Sequence, residues 1–475
     1  MTSLENKKVL VIGLGKSGLA AAELLHRLGA KVLAVDSSDS AELQREVAAL
    51  LTRGIAVQLG SVAAPMTPFD FVVVSPGVPW SNPLLAEMNR RKLPFLGEFE
   101  LGYQHSLCLN IAVTGTNGKT TTTELIERIL KANRLKAMTA GANGTPISSI
   151  VEQTAELDFL VLEASSFQLE TIQYFRPGVA VLLNISPDHL DRYGNMTDYA
   201  LAKARIFQNQ QPFDWAIVQS EALAQLRALK VNIPSKIITF SANNRRADIY
   251  LERGMLISRL DGWTGPLLKM EDCELAGPQS AENLMATLAV GRVLRVPLET
   301  MIETVKTYRP PAHRCEFIAE INGVKFVNDS KATNLDAVHK ALLTVPSAPL
   351  GEPNVWLIAG GRDKAFEYYE IGPLLSQRVK GAYLIGETRE KLRAAWSLFT
   401  PCTLADTLEE SIAEAARNAV AGDVVLLSPA CSSFDQFQNY QHRGDVFRQA
   451  VRELEKTASL TIKVRAASAP DAPAD

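Results

Sequence analysis

The sequence predicts an α/β protein of three domains, each built on a mostly parallel sheet. Short apolar runs alternate with helix-like segments along the chain, which is the pattern of parallel strands covered by helices. Glycine-rich turns follow the first apolar run in each of two regions, and Arg309-Pro310-Pro311 forms a rigid break before a third. We therefore expect domains over residues 1–97, 98–309 and 310–465, followed by a Pro-rich, disordered tail over 466–475.

The first domain is predicted to be Rossmann-like. Its first strand enters the turn Gly13-Leu14-Gly15-Lys16-Ser17-Gly18, and its second strand ends in Asp36. A G-x-G-x-x-G turn with an acid about 20 residues later is typical of dinucleotide binding. A further strand runs into Ser75-Pro76-Gly77, again at a strand end where open α/β sheets bind ligands. The pattern predicts a nucleotide or sugar-phosphate ligand and leaves open which one.

The second domain is predicted to be a P-loop domain that binds ATP. An apolar strand over 107–113 runs into Gly115-Thr116-Asn117-Gly118-Lys119-Thr120-Thr121, and a helix follows from Thr121 to about Asn133. Backbone N–H groups of such a turn converge on phosphate oxygens. Lys119 can reach the outer phosphates, and the Thr120 hydroxyl can ligate Mg²⁺. Val113 stands where a full Walker A motif has its first glycine, which argues against a generic GTPase or ATPase.

Polar side chains follow two further strands of this domain. Glu163 ends an apolar strand, where a carboxylate can face a metal ion held by Thr120. His189 lies beyond the strand predicted over 179–184, and Lys203 lies in a helix predicted over 197–209. On residue type alone, a structural loop histidine and a solvated helix lysine are the more common interpretations of His189 and Lys203.

The third domain is predicted to be a second Rossmann-like α/β domain with two polar loops. The segment 328–334, which contains Asp329, Lys331 and Thr333, follows one strand, and the segment 428–435 follows another. Charges and hydroxyls in one short turn suit the binding of phosphate and carboxylate groups. A polar helix cap would explain either loop taken singly. Together with the phosphate loop, they suggest ATP-driven joining of a carboxylate to a second molecule.

The composition narrows the class of protein. The 475 residues are 47% hydrophobic and 21% charged, with a net charge of −3. Because the chain has no excess of positive charge, we expect neither a nucleic-acid partner nor an anionic membrane partner. Five scattered cysteines without a CxxC pair favour a reducing compartment over a zinc site or a disulfide framework. Without a signal peptide or a long apolar run, we expect a cytoplasmic protein, and we expect a monomer.

These motifs resemble those of the Mur ligases of peptidoglycan precursor synthesis, in the family's order and over nearly the whole chain. The matching segments are GLGKSG at 13–18, TGTNGKTTT at 114–122, EASSFQLE at 163–170, NISPDHLDRYG at 184–194, HRCE at 313–316, NDSKATN at 328–334 and LSPACSSFDQF at 427–437. The last two resemble the members that add D-glutamate. The resemblance implies an ATP-dependent ligase that joins D-glutamate to UDP-N-acetylmuramoyl-L-alanine through an acyl phosphate, for cell wall biogenesis.

The resemblance also implies roles for individual residues. Catalytic roles fall on Lys119, Glu163, His189, Lys203 and Lys331. ATP contacts fall on Gly115, Thr116, Asn117, Gly118, Lys119, Thr120, Thr121, Asn283, Arg314 and Asp329. One Mg²⁺ ion would be held by Thr120 and Glu163, and a second by His189 and Lys203 as a carbamate. The UDP-sugar would contact Lys16, Ser17, Asp36, Ser37, Ser75, Pro76, Gly77 and Asn143, and D-glutamate would contact Lys331, Thr333, Lys364, Ser428 and Phe434.

Two segments depart from the family pattern. Gly141-Ala142-Asn143-Gly144-Thr145-Pro146 displaces the expected asparagine by one position, and Gln279-Ser280-Ala281-Glu282-Asn283 keeps only the second of two asparagines on the adenine side. Other hypotheses stay open at this point: a sibling ligase with another acceptor amino acid, an NAD-linked oxidoreductase based on the first glycine turn, and a non-catalytic nucleotide-binding module.

Overall fold

A computed structural model describes residues 4–467 except 62, 64, 66, 143, 276, 310, 311, 349, 350 and 365. Within that part the chain forms three sheets, and it divides into two compact units. The first unit comprises Met1–Ile185, Asn195–Cys273 and Ser280–Tyr308, and the second comprises Ser186–Gly194, Glu274–Gln279 and Arg309–Asp475. The predicted linker at Pro310-Pro311 and residues 468–475 of the predicted tail lie outside the described residues, whereas Ala466 and Ala467 end a helix.

The first sheet is parallel throughout, with the strand order β3-β2-β1-β4-β5. Its strands are β1 Lys8–Ile12, β2 Lys31–Val35, β3 Ala56–Gln58, β4 Phe71–Val74 and β5 Phe95–Gly97. The helices are α1 Lys16–Arg27, α2 Ala41–Thr52, α3 Pro83–Arg90 and α4 Glu98–His105. Val9 and Val11 pack into one apolar cluster and Leu10 and Ile12 into another, because successive strand residues face opposite sides. The predicted Rossmann-like arrangement is confirmed.

The second sheet has nine strands in the order β14-β13-β12-β11-β10-β9-β6-β8-β7. The strands are β6 Leu109–Thr114, β7 Ala137–Gly141, β8 Phe159–Glu163, β9 Val179–Leu182, β10 Trp215–Gln219, β11 Lys236–Ser241, β12 Ile249–Glu252, β13 Met255–Ser258 and β14 Gly265–Lys269. Pairing is parallel from β7 to β12, as predicted, and antiparallel between β12, β13 and β14, a meander that the sequence did not reveal.

Helices accompany this second sheet. They are α5 Lys119–Ala132, α6 Ile147–Ile150, α7 Ser166–Leu169, α9 Met196–Ala204, α10 Ser220–Ala228, α11 Gly277–Val293 and α12 Leu298–Lys306, while α8 Leu190–Tyr193 belongs to the second unit. The helix predicted over 197–209 is shorter than expected, because α9 tightens into a 3₁₀ turn at Arg205–Phe207. The helix predicted from Thr121 begins two residues earlier, at Lys119.

The third sheet has the order β15-β16-β20-β17-β18-β19, and all its pairs are parallel except β15 with β16. Its strands are β15 Glu316–Ile321, β16 Val324–Asn328, β17 Val355–Gly360, β18 Val379–Ile385, β19 Cys402–Leu404 and β20 Val424–Leu427. Its helices are α13 Leu335–Thr344, α14 Gly372–Arg378, α15 Arg389–Trp396, α16 Leu408–Asn418 and α17 Tyr440–Ala467. The predicted three-domain α/β fold is therefore confirmed. Across the described helices, none combines the length and the hydropathy needed to cross a bilayer.

Candidate active site

The phosphate loop connects β6 to α5 and has a geometry that glycine alone accommodates at two positions. Gly118 has a φ of +89°, and a Cβ there would lie 2.2 Å from Asn283 Oδ1. A Cβ at Gly115 would lie 2.9 Å from Leu183 Cβ. Because α5 starts directly after Gly118, its first N–H groups point back toward the loop. The loop has the form of an anion-binding cradle, as predicted.

Side chains from the neighbouring strands support this loop. Asn184, two residues past β9, accepts the Asn117 N–H on its Oδ1 at 2.8 Å and donates its Nδ2 to the Asn117 carbonyl at 3.0 Å. Its own backbone carbonyl accepts the Thr116 N–H at 3.0 Å. Lys119 Nζ donates to the carbonyls of Gly115 and Thr116, each at 2.9 Å. The loop is thus held in place by Asn184, and Lys119 lies along its inner side.

Thr120, in the first turn of α5, meets Glu163 at the carboxyl end of β8. The Thr120 hydroxyl donates to Glu163 Oε2 at 2.8 Å, and Glu163 is buried at the carboxyl end of β8. Mg²⁺ prefers such oxygen donors and usually binds through one or two carboxylates together with substrate phosphates. The described residues contain no group of three or more His, Cys, Asp or Glu side chains that could enclose a metal by themselves. The pair therefore fits a metal ion that a bound nucleotide would share.

Lys203 is buried, with 1% of its surface exposed, so the interpretation as a solvated helix lysine is wrong. Its Nζ donates to the Gly115 carbonyl at 2.7 Å and lies 4.5 Å from the centre of the Tyr199 ring. The Tyr199 hydroxyl is in turn 3.3 Å from Thr116 Oγ1. α9 therefore brings the amine of Lys203 directly beneath the phosphate loop.

The two turns of the first domain lie side by side, because β1 and β4 are neighbours at the point where the strand order reverses. A Cβ on Gly13 would lie 3.0 Å from Ser75 Cβ, and one on Gly18 would lie 1.8 Å from the Gly13 carbonyl oxygen. Asp36 closes the first turn: its carboxylate accepts the N–H groups of Leu14 at 2.6 Å and Ser38 at 2.9 Å. Of the other predicted residues, Lys16, Ser37 and Gly77 are exposed, Ser17 and Pro76 half-buried and Ser75 buried, while Asn143 lies outside the described residues.

In the second unit, His189 and Lys364 share a buried carboxylate that the sequence did not single out. Lys364 Nζ donates to Asp188 Oδ1 at 3.0 Å, and Asn334 Nδ2 donates to Asp188 Oδ2 at 3.1 Å. The His189 ring lies beside it, with Nε2 3.7 Å from Asp188 Oδ2. Burial would raise the pKa of Asp188, but electrostatic interactions with Lys364 and His189 and hydrogen bonds from Lys364 and Asn334 outweigh burial and lower that pKa to about 2.

Asp329 follows β16, and Ser428 follows the adjacent strand β20. The Ser428 hydroxyl donates to Asp329 Oδ2 at 3.0 Å, and the Cys315 N–H donates to Oδ1 at 3.1 Å. Burial raises the pKa of Asp329 to about 7, against these hydrogen bonds and the charge of Arg314. These contacts bring the loop after β16 and the loop after β20 together at one edge of the third sheet.

The remaining predicted contacts differ in exposure. Lys331 Nζ donates to the Tyr440 hydroxyl at 3.0 Å and lies 4.2 Å from the centre of that ring. Thr333 is half-buried and its backbone N–H donates to the Lys331 carbonyl at 2.9 Å. Phe434 is 65% exposed, so no apolar neighbour in the described residues covers it fully.

Comparison with known proteins matches all three domains. Residues 7–97 match the MurD-like N-terminal domain of Mur ligases, residues 113–291 the Mur ligase middle domain, and residues 313–431 the Mur ligase glutamate ligase domain. The chain belongs to the Mur ligase family.

Relatives and solved structures agree with this membership. This Mur ligase is 42% identical over 454 residues to the UDP-N-acetylmuramoylalanine–D-glutamate ligase of Acidobacterium capsulatum, covering 94% of this chain and 96% of that protein. It is 40% identical over 453 residues to the enzyme of the same name from Koribacter versatilis, covering 95% and 98%. Its fold matches the Thermotoga maritima UDP-N-acetylmuramate–alanine ligase MurC, with a TM-score of 0.59, 19% identity, and coverage of 94% and 100%.

The structure of this Mur ligase also reveals a buried arginine that sequence reasoning missed. Arg443, in the first turn of α17, is 1% exposed. Its guanidinium donates to the Ser330 hydroxyl and carbonyl at 3.0 and 2.9 Å, and to the Cys431 carbonyl at 3.2 Å. One side chain thus links the loop after β16 to the loop after β20. A single arginine that lies beyond the last recognisable motif cannot be identified as important from one sequence. Asn184 could have been identified, because it is the first residue of the motif over 184–194.

Proposed function

We propose that this Mur ligase uses ATP to join D-glutamate to the L-alanine carboxylate of UDP-N-acetylmuramoyl-L-alanine. The observation that carries the proposal is the phosphate loop whose Thr120 hydroxyl meets Glu163 at 2.8 Å, in a chain about 40% identical to ligases named for this reaction. The glycine turns of the first domain would bind the sugar nucleotide. The cationic and hydroxyl side chains of the third domain would bind an amino acid with two carboxylates.

The chemistry explains why a nucleotide is needed. A carboxylate acylates amines poorly, so its oxygen would first attack the γ-phosphorus of ATP, releasing ADP and forming an acyl phosphate. The D-glutamate amine would then attack the acyl carbon, lose a proton and expel inorganic phosphate, which leaves the amide. Lys119, which lies along the loop, would stabilise the charge on the transferring phosphoryl group.

Thr120 and Glu163 would hold a Mg²⁺ ion beside the phosphates, and this ion would neutralise charge on the transferring group when bound. We propose that His189 and a carbamylated Lys203 belong to a second such ion. The Lys203 ammonium would first lose one proton to give the free amine. Addition of CO₂ to that amine, with loss of a second proton, would then replace a buried cation with a carbamate carboxylate. The burial of Lys203 beside the phosphate loop supports this role, since the carbamate would lie next to the proposed site of the nucleotide phosphates.

The D-glutamate site would use Lys331, Thr333, Lys364, Ser428 and Phe434. Lys331 and Lys364 each carry a positive charge that suits one substrate carboxylate. In the structure, Tyr440 and Asp188 accept hydrogen bonds from these two lysines, so a bound amino acid would compete with or extend those contacts. Asn283, Arg314 and Asp329 would contact the nucleotide. Asn283 Oδ1 is buried and accepts no hydrogen bond from the residues that the structure describes, so a ligand donor could pair with it.

A panel of acceptor amino acids tests the proposal. Purified protein would receive ATP, UDP-N-acetylmuramoyl-L-alanine and one amino acid at a time, while released phosphate and product mass are followed. D-Glutamate alone is expected to support turnover. Preference for L-glutamate, L-lysine or a diaminoacid would assign the chain to a sibling ligase instead. We further propose a cytoplasmic monomer, which cell fractionation and light scattering would test.

Isotope transfer tests the intermediate separately. With ¹⁸O in the L-alanine carboxylate of the sugar nucleotide, one label atom should appear in the released inorganic phosphate. Product that accumulates while phosphate stays unlabelled would rule out the acyl phosphate.

A further inference from the structure

One contact between the first and second domains involves a side chain to which the proposed function gives no role. Trp80 follows the Ser75-Pro76-Gly77 turn at the carboxyl end of β4, and its indole N–H donates to Glu170 Oε2 at 2.8 Å. Glu170 ends the segment that begins at Glu163. The hydrogen bond therefore connects the loop proposed to hold the sugar nucleotide to the segment that starts at the proposed metal ligand.

The indole is held in a defined position. Its ring packs edge-on against Phe95, with centroids 5.8 Å apart and an interplanar angle of 75°, while 46% of Trp80 remains exposed. A hydrogen bond from a neutral N–H to a carboxylate is stronger than one between two neutral groups. A phenyl ring would keep the packing against Phe95 but would have no donor for Glu170. The N–H is therefore the feature that joins the two domains here.

The second-domain end of this contact is itself anchored. Arg205 donates to the carbonyls of Leu169 at 2.6 Å and Ile172 at 2.7 Å, on both sides of Glu170. The Glu100 carboxylate accepts three successive backbone N–H groups over residues 173–175, at 3.0 to 3.1 Å. Because Arg205 follows Lys203 by two residues, the anchored segment is tied to the helix that carries the proposed carbamate.

Other contacts cross the same domain boundary, but they are made by β5 and not by the 75–79 loop that follows β4. Gln173 Nε2 donates to the Phe95 carbonyl at 2.7 Å. Gly97 lies so close to Thr171 that a Cβ there would be 2.0 Å from its hydroxyl oxygen. These contacts would keep the domains together without Trp80, whereas Trp80 holds the 75–79 loop itself.

We propose that Trp80 is a positioning residue for the sugar-nucleotide substrate. Through Glu170 it holds the 75–79 loop against the second domain, so that the bound substrate extends from that loop toward the ATP site in one orientation. A loop that must be ordered on binding weakens affinity, and a pre-ordered loop avoids that loss. The inference rests on the proposed function, because it assumes that the sugar nucleotide binds at this loop.

Trp80→Phe is the direct test. The KM for UDP-N-acetylmuramoyl-L-alanine should rise about fivefold, the loss expected for one hydrogen bond to a charged acceptor that is partly exposed to solvent. The kcat and the KM values for ATP and D-glutamate should stay within about twofold. Glu170→Gln keeps an acceptor oxygen and should have a smaller effect. Adding it to Trp80→Phe should raise the KM little further, since the bond is already lost.

Gln173→Ala is the matched control. It removes a side-chain hydrogen bond of similar length across the same boundary, but not one made by the ligand loop. An equal rise in the sugar-nucleotide KM for Gln173→Ala, or an unchanged KM for Trp80→Phe, would overturn the inference.

Calorimetry with the sugar nucleotide alone separates the two proposals. Wild-type protein that binds it, with weaker binding by Trp80→Phe, supports both. If the wild type and Trp80→Phe bind the sugar nucleotide equally tightly, the positioning role is contradicted and the proposed function is not. Wild-type protein that does not bind it contradicts the proposed function as well.

Discussion

Replacing Asn184 with alanine should weaken nucleotide binding without touching the nucleotide's own predicted contacts. The Asn184 side chain is buried and makes two hydrogen bonds, one to the N–H and one to the carbonyl of Asn117. Both hold the main chain of the phosphate loop in the conformation that presents its N–H groups. Alanine removes both bonds, while the backbone carbonyl of residue 184 still accepts the Thr116 N–H.

The size of the effect follows from these two bonds. Each contributes about 0.5–1.5 kcal/mol, so their loss costs about 1–3 kcal/mol. If the loop must then be ordered by the ligand, the dissociation constant for ADP rises by about fivefold to 150-fold. Asn184→Asp should also weaken binding, because it keeps the acceptor for the Asn117 N–H but places an oxygen against the Asn117 carbonyl.

Calorimetric titration with ADP would measure the change, with denaturant unfolding run in parallel to show that the variant is folded. Asn110→Ala is the matched control. Asn110 is also buried, but it lies near the amino end of β6, the strand that leads into the phosphate loop, where its Nδ2 donates to the Cys108 carbonyl at 3.1 Å. It should lose stability and keep ADP affinity. A folded Asn184→Ala protein that binds ADP as the wild type does would refute the role of Asn184.

Further predictions concern single groups of the site. Lys119→Ala should lower kcat more than about a hundredfold by removing charge from the transferring phosphoryl group, and a normal rate of phosphate release would contradict this. Lys203→Ala should lose most activity and regain part of it with added acetate, whereas full activity without an added anion would exclude the carbamate. Burial raises the pKa of Asp329 to about 7, above about 3.9 for an unfolded aspartate, so the folded protein binds a proton that the unfolded chain releases. As the pH rises from about 4 to about 7, the ligand-free wild type should therefore lose unfolding free energy relative to Asp329→Asn. A difference that stays constant with pH in denaturant titrations would contradict this.

The sequence predicted those parts of the site that depend on strand order at one edge of a sheet. Thr120 and Glu163 each follow an apolar strand, and parallel neighbours bring their carboxyl ends together. The same rule explains why the Asp329 and Ser428 loops meet, because β16 pairs with β20. Short polar motifs that follow apolar runs are sufficient for such a prediction, because each motif then lies at the carboxyl end of its strand.

The sequence did not predict contacts made by residues that lie outside the polar motifs at strand ends. Arg443 reaches Ser330 across 113 positions, and its surroundings in α17 are those of an ordinary amphipathic helix. The burial of Lys203 could not be predicted either, because a lysine in a helix is usually solvated. Only the packing of α9 against the phosphate loop buries it. The meander from β12 to β14 was missed because its strands are short and follow one another without helices.

The described loops share a physical design in which a reactive segment is held by a side chain from another strand or helix. Asn184 holds the main chain at Asn117. Tyr440 accepts a hydrogen bond from the Lys331 amine, and Asp188 accepts one from the Lys364 amine. In the third sheet, the apolar clusters lie on the sheet faces, and Tyr440 is not among their members. Substitutions at the holding residues should therefore change substrate affinity more than they change unfolding free energy, because they release a loop and leave the packing of the strands intact.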